Sequence, residues 1–159
     1  MKKNIVKEIG KLCKEHHLTL VTSESCTGGG VAYCISQSRI CSPFLERGYI
    51  TYSNPSKEKV LHVKTESLQL HGAVSEIVAK EMAEGALKES LAQFSLAVTG
   101  LAGEDKEHNK GEAWIGIAFI ESKTKTYKID FDGKRLEFIK FVIEKALEYL
   151  YKTIKENFK

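Results

Sequence analysis

Proline is scarce in this chain. Its 159 residues hold two, Pro43 and Pro55. No Pro-rich linker therefore divides it into domains, and no polyproline segment offers itself to a partner. Long apolar runs are missing too. Nowhere do the roughly 18 consecutive apolar residues of a membrane helix occur, so no membrane partner is expected. The N-terminus, MKKNIVKEIGKLCKEHH, is basic and amphipathic, unlike the unbroken apolar core of a secretory signal. Charge of one sign does not dominate: 24 Lys and Arg against 21 Asp and Glu leave +3. The lysines are dispersed, whereas nucleic-acid binding calls for a concentrated basic stripe, so no nucleic-acid partner is expected. The four cysteines, Cys13, Cys26, Cys34 and Cys41, form no C-x-x-C pair, and the five histidines form no H-x-x-x-H or H-E-x-x-H pattern. The expectation is reduced thiols in a cytoplasm, no metal and no organic cofactor.

What is present is ordinary in bulk. Apolar residues make up 42% and charged residues 28%, enough to bury a core in one domain spanning 1–159. Apolar spacing at Ile5, Ile9 and Leu12 predicts a helix over 3–16. Residues 18–22 read as a short strand, followed by the turn 23–30 and a helix over 31–38. A turn-like piece is expected at 41–45 and a second strand at 48–53. Asn54-Pro55 reads as a helix start, with Asn at the cap and Pro at the first helical position. Residues 67–71 read as a brief helical turn. Ser75-Glu76 opens a helix to about Ser90, with Val78, Ala79, Met82, Ala83, Ala86 and Leu87 as its buried stripe. Residues 94–99 read as a buried strand, 113–121 and 125–131 as a strand pair around 122–124. A last helix over 134–156 turns Phe138, Phe141, Val142, Ala146, Tyr149 and Leu150 inward. Strands interleaved with helices imply a layered α/β fold, and the late strand pair makes the sheet mixed. The expected architecture is a three-layer α/β/α sandwich with a mixed sheet.

Four segments carry potential chemistry. The first is E-S-C-T-G-G at 24–29. Glycine lets backbone N–H groups approach a ligand, and a helix N-terminus favours an anion. The same residues also suit an ordinary tight turn with Ser or Thr capping the helix. The segment lacks the G-K-[ST] of a P-loop and the G-x-G-x-x-G of a dinucleotide site. Cys26 reads here as a small buried side chain rather than a nucleophile.

The second segment is Ser42, Tyr52 and Lys57. A serine hydroxyl is a weak nucleophile until a base takes its proton. Lysine is such a base only when neutral, which burial and a helix N-terminus both favour. Lys57 in the first turn of a helix runs against the dipole, and such breaks of a local rule often mark function. Tyr52 would orient the lysine or relay a proton. An exposed lysine and a serine capping a short helix remain the plain alternative. The third segment, T-G-L-A-G at 99–103, ends a strand, where ligands of open α/β sheets bind. Thr99 and Gly100 are its candidate contacts. The fourth is Arg135 in G-K-R at 133–135, which suits a phosphate or carboxylate or else a solvated surface.

In order, T-x-E-S-C-T-G-G (22–29), F-L-E-R-G-Y-I-T-Y-S-N-x-x-K (44–57), H-G-A-V-S-E (71–76), T-G-L-A-G (99–103) and G-x-R (133–135) resemble the CinA C-terminal domain family. The resemblance runs from about residue 5 to 150 and is to the stand-alone form. It implies a nicotinamide-nucleotide amidase. Such an enzyme hydrolyses the carboxamide of nicotinamide mononucleotide (NMN) to nicotinic acid mononucleotide and ammonia, without cofactor, as a homo-oligomer such as a dimer. It further implies Ser42 as nucleophile, Lys57 as base and Tyr52 as its assistant. The anionic end of the nucleotide would then lie against Thr27, Gly28, Gly29, Thr99, Gly100 and Arg135. The chain departs from the family in two places. Ile40-Cys41-Ser42 stands where G-S-S is usual, and Ala102–Glu107 replaces A-G-P-x-G-G. These departures leave two other readings: a catalytically weakened nucleotide-binding module, or an amidase for another carboxamide.

Overall fold

The computed structural model describes residues 3–103 and 110–159. Its strands are β1 (Leu20–Glu24), β2 (Leu45–Ile50), β3 (Phe94–Leu101), β4 (Lys110–Phe119) and β5 (Ser122–Asp132). They form one sheet in the order β2-β1-β3-β4-β5. β2, β1 and β3 run parallel, while β4 is antiparallel to both β3 and β5. The mixed sheet follows directly, since a two-residue turn at 120–121 reverses the chain between β4 and β5.

Four strands begin away from their expected positions, β4 and β5 each three residues early. β1 begins two residues later and ends on Ser23 and Glu24, both fully buried. β2 begins three residues earlier, because Leu45 and Arg47 pair with Leu20 and Val21. Backbone pairing, not side-chain apolarity, sets these limits.

The helices are α1 (Lys3–Glu15), α2 (Gly30–Ser36), α3 (Asn54–Leu61), α4 (Thr65–His71), α5 (Glu76–Lys88) and α6 (Arg135–Asn157), with one 3-10 turn at Ser42–Phe44. Alternation along the strands divides the core in two. Leu20, Phe94, Leu96, Ile115 and Ile117 meet Ile9 of α1, Ile35 of α2 and Phe138 and Val142 of α6. Val21, Ala97 and Ala118 meet Leu61 of α3, Leu68 of α4 and Val78 and Met82 of α5. The result is the expected three-layer α/β/α sandwich. Among the described residues no helix is long and apolar enough to cross a membrane.

This layering creates the place for a site. α2, which links β1 to β2, covers one face. α3 to α5, which link β2 to β3, cover the other. The chain therefore leaves β1 and β2 towards opposite faces at their carboxyl ends, and the divergence opens a crevice there. Open α/β sheets bind ligands at such a switch point.

Candidate active site

A cavity occupies that crevice. Ser25 and Cys26 from the end of β1, Thr99 and Gly100 from the end of β3, Lys57 from α3 and Arg135 from α6 are among its walls. Each arrives for a local reason. Ser25 is the first residue past β1, and its N–H donates to Val98 O at 2.9 Å, so the turn leaves the sheet edge-on to β3. The turn then passes through Gly28 (φ 58) and Gly29 (φ 94), a left-handed path that glycine adopts without strain. Gly100 is required for a different reason: a Cβ there would come within 2.9 Å of Cys26 Sγ and 2.8 Å of Ala113 Cβ.

Lys57 reaches the cavity through the start of α3. The N-cap is Ser53, not Asn54. Ser53 Oγ accepts from Ser56 N and Ser56 Oγ accepts from Ser53 N, both at 3.2 Å, a reciprocal box that sets the helix one residue earlier than expected. Pro55 falls in the second helical position, and Lys57 lies one turn in. Its side chain turns back onto the sheet and is 1% exposed. Nζ stands 3.1 Å from Ser25 Oγ, 2.9 Å from Thr51 O and 3.4 Å from Tyr52 O. No carboxylate is among these partners. Burial therefore holds the Lys57 amine below the ordinary lysine range, towards its neutral form.

Ser42 lies elsewhere. It opens the 3-10 turn that precedes β2, and its N–H donates to Ser38 O at 2.7 Å. Lys57 follows the other end of β2. Six residues of strand separate the two, about 20 Å at the usual rise. Ser42 does not line the cavity. Ile40 and Cys41 lie with it at this remote end, packed on Gly10 of α1.

Tyr52 does line the cavity, but its groups are divided. Its carbonyl oxygen faces Lys57, while its phenol oxygen accepts from Arg135 Nη2 at 3.1 Å across the mouth. Thr99 is buried, and its hydroxyl donates to Ala73 O at 2.8 Å. Gly100 and Arg135 are on the wall as expected. Thr27, Gly28 and Gly29 are not. The physical reason is Glu24, whose carboxylate accepts from Thr27 Oγ1 (2.6 Å), Val31 N (3.0 Å) and Ala32 N (2.9 Å). The positive end of α2 is thus occupied by the protein's own anion.

Cys26 lines the cavity beside Ser25, with burial pushing its thiol up to about 12. It is a protonated thiol at neutral pH, not a nucleophile. Of the altered stretch Ala102–Glu107, Ala102 lines the cavity, while 104–107 lie outside the described residues.

Sequence reading assigned no role to Ser25 or Glu24. The available signal was position: Ser25 directly follows a strand and opens the turn that runs into Gly28 and Gly29, at the sheet's carboxyl edge.

A family model settles the kinship: that of the CinA C-terminal domain matches residues 2–154. The chain belongs to that family. The nicotinamide-nucleotide amidohydrolases PncC of Shigella flexneri and Escherichia coli K12 are each 37% identical over 153 residues, spanning 94% of this chain and 93% of theirs. A CinA-like protein of Endomicrobium trichonymphae is 39% identical over 148 residues, and there the CinA domain matches 34% of a longer chain. Among solved structures, competence damage-inducible protein A of Klebsiella pneumoniae superposes with a TM-score of 0.89 at 29% identity, covering 96% of both chains. The competence/damage inducible protein CihA of Agrobacterium tumefaciens gives 0.87 at 32% identity, covering 96% of this chain and 94% of that one.

Proposed function

We propose that this CinA domain hydrolyses the carboxamide of NMN, with Ser25 as nucleophile and Lys57 as its base. The observation that carries the mechanism is the 3.1 Å approach of Lys57 Nζ to Ser25 Oγ inside the switch-point cavity. The substrate rests on the PncC relatives, whose named activity this is. Ser25 replaces Ser42 in the expected pair, because β2 holds Ser42 at the opposite end of the sheet.

The chemistry runs in two halves. Neutral Lys57 takes the proton from Ser25 Oγ as that oxygen attacks the amide carbon. The Cys26 N–H, next to the nucleophile, donates to the oxyanion. Lys57 then gives its proton to the amide nitrogen, the C–N bond breaks and ammonia leaves. Water attacks the Ser25 ester as Lys57 accepts its proton, the bond from the acyl carbon to Ser25 Oγ breaks, and Lys57 returns the proton to that oxygen, leaving the acid product, free serine and neutral lysine. Burial of Lys57 supplies the base, so no step calls on a metal or organic cofactor. Arg135 faces the phosphate, and Tyr52 braces Arg135 through its phenol oxygen. Four free cysteines suit a reducing cytoplasm.

The test is ammonia and nicotinic acid mononucleotide release from NMN. Ser25→Ala and Lys57→Met are expected to lower kcat by at least about 10³-fold, as removal of a nucleophile or base does. Wild-type turnover in Ser25→Ala overturns the mechanism. Absence of NMN hydrolysis by the wild-type protein overturns the substrate.

A further inference from the structure

Glu24 is the largest unexplained investment in the site. It is 0% exposed, and a desolvated carboxylate is costly to bury unless its oxygens are satisfied. Among the described residues, one segment satisfies them. Oε2 accepts from Thr27 Oγ1 and Val31 N, and Oε1 accepts from Ala32 N. Helix α2 begins after Gly29, which has no side chain to cap it. The first N–H groups of a helix have no partners within it. Glu24 supplies them from the strand below.

The same residue is joined by one peptide bond to Ser25. Glu24 O accepts from Thr51 N at 2.9 Å, and Ser25 N donates to Val98 O at 2.9 Å, so both neighbouring strands grip this point of β1. Gly28 N donates to Ser25 O at 3.0 Å and closes the turn. The stretch Cys26-Thr27 therefore spans two anchors, the sheet on one side and the Glu24 carboxylate on the other. Its backbone path, and with it the direction of the Cys26 N–H, follows from both.

Resting on the Ser25–Lys57 reading above, we propose that Glu24 is a positioning residue of the amidase site. Its carboxylate clamps Thr27 and the start of α2, and so orients the Ser25–Cys26 peptide towards the attacked carbonyl. It touches no reacting atom. Because it also fills the positive end of α2, it directs the ligand's anion away from that helix and towards Arg135.

The test compares wild type, Glu24→Gln and Thr27→Val. Gln keeps the shape but places an NH2 donor against groups that donate; Val removes only the Thr27 hydroxyl. Three quantities are read: kcat and KM for NMN, the rate at which a fluorophosphonate labels Ser25 by mass spectrometry, and thermal unfolding. Misplacing a reacting group by a fraction of an ångström to 1 Å costs on the order of 10²-fold. Glu24→Gln is expected to lose that much in kcat and in labelling rate while KM stays nearly level. Thr27→Val is expected to show the same split with a smaller loss. A folded Glu24→Gln with wild-type kcat and labelling overturns the proposal, as does a loss confined to KM. If Glu24→Gln fails to fold, Thr27→Val decides by the same criteria. If the wild type labels at Ser25 without hydrolysing NMN, the substrate reading fails, and the labelling rates alone still judge Glu24.

Discussion

Lys57 Nζ lies 3.1 Å from Ser25 Oγ, although 32 residues separate them in the chain. The contact exists because β1 and β2 are parallel neighbours. Parallel pairing brings their carboxyl ends out side by side, so the turn after β1 meets the helix after β2. The lysine is sealed under that helix, and its hydrogen-bond partners among the described residues are a hydroxyl and two carbonyl oxygens. An amine so placed is stabilised as the neutral form.

A pH dependence follows from Lys57. Burial lowers its pKa below the free-lysine value of about 10.4. The base works when deprotonated, so kcat/KM rises with pH through a midpoint below that value. Lys57→Met loses this limb. The folding consequence has the opposite cost. With the folded pKa lowered, the unfolded state binds more protons between the two values. This group's contribution to stability therefore rises with pH across that window and is lost as pH falls through the folded value. At pH 7 Lys57→Met is expected to unfold at a higher temperature than wild type, by roughly 2–4 °C for each kcal/mol regained. A lower unfolding temperature contradicts it.

The far end of β2 is expected to be silent in catalysis. Ser42→Ala leaves kcat and KM for NMN unchanged. Gly10→Ala makes a stronger version of the point. Its new Cβ would stand 2.8 Å from the backbone of Ile40 and Cys41. Overpacking of this kind costs about 1–3 kcal/mol. Calorimetry should show reduced stability while turnover of the folded fraction is retained. A catalytic defect in either variant returns Ser42 to the mechanism.

Arg135 is expected to read the phosphate. Hydrogen bonds to charged groups are worth roughly 1.5–3 kcal/mol, so Arg135→Ala raises KM for NMN by about 10- to 100-fold with kcat nearly held. Nicotinamide riboside, which lacks the phosphate, should respond little to the same change. Tyr52→Phe removes only the phenol that accepts from Arg135, and its effect should be a smaller change in KM. Equal losses for both substrates in Arg135→Ala contradict the assignment.

Cys26 is expected to be chemically quiet despite its place beside Ser25. With its thiol pushed up to about 12, iodoacetamide at pH 8 should alkylate it roughly a thousandfold more slowly than an exposed thiol. Peptide mass spectrometry measures this directly. Cys26→Ser should keep turnover close to the wild-type value. Rapid alkylation with matching loss of activity makes Cys26 a participant.

The residues alone carried much of this protein. Apolar periodicity placed α1, α5 and α6, because a helix must bury one stripe whatever it packs on. The late strand pair foretold a mixed sheet, and the ordered motifs foretold the CinA family. Lys57 stood out as a cation against a helix dipole, and it is the buried base candidate. Which serine stands beside it is set only by the tertiary structure. Ser42 is nearer in sequence, 15 residues against 32, yet β2 is an extended rod that carries it to the opposite edge of the sheet. Thr27, Gly28 and Gly29 read locally as an anion cradle, but the fold turns Glu24 into the anion that fills it. Local chemistry determines what each side chain is able to do. Strand direction and sheet order determine which side chains meet, because they alone set which chain ends share one edge.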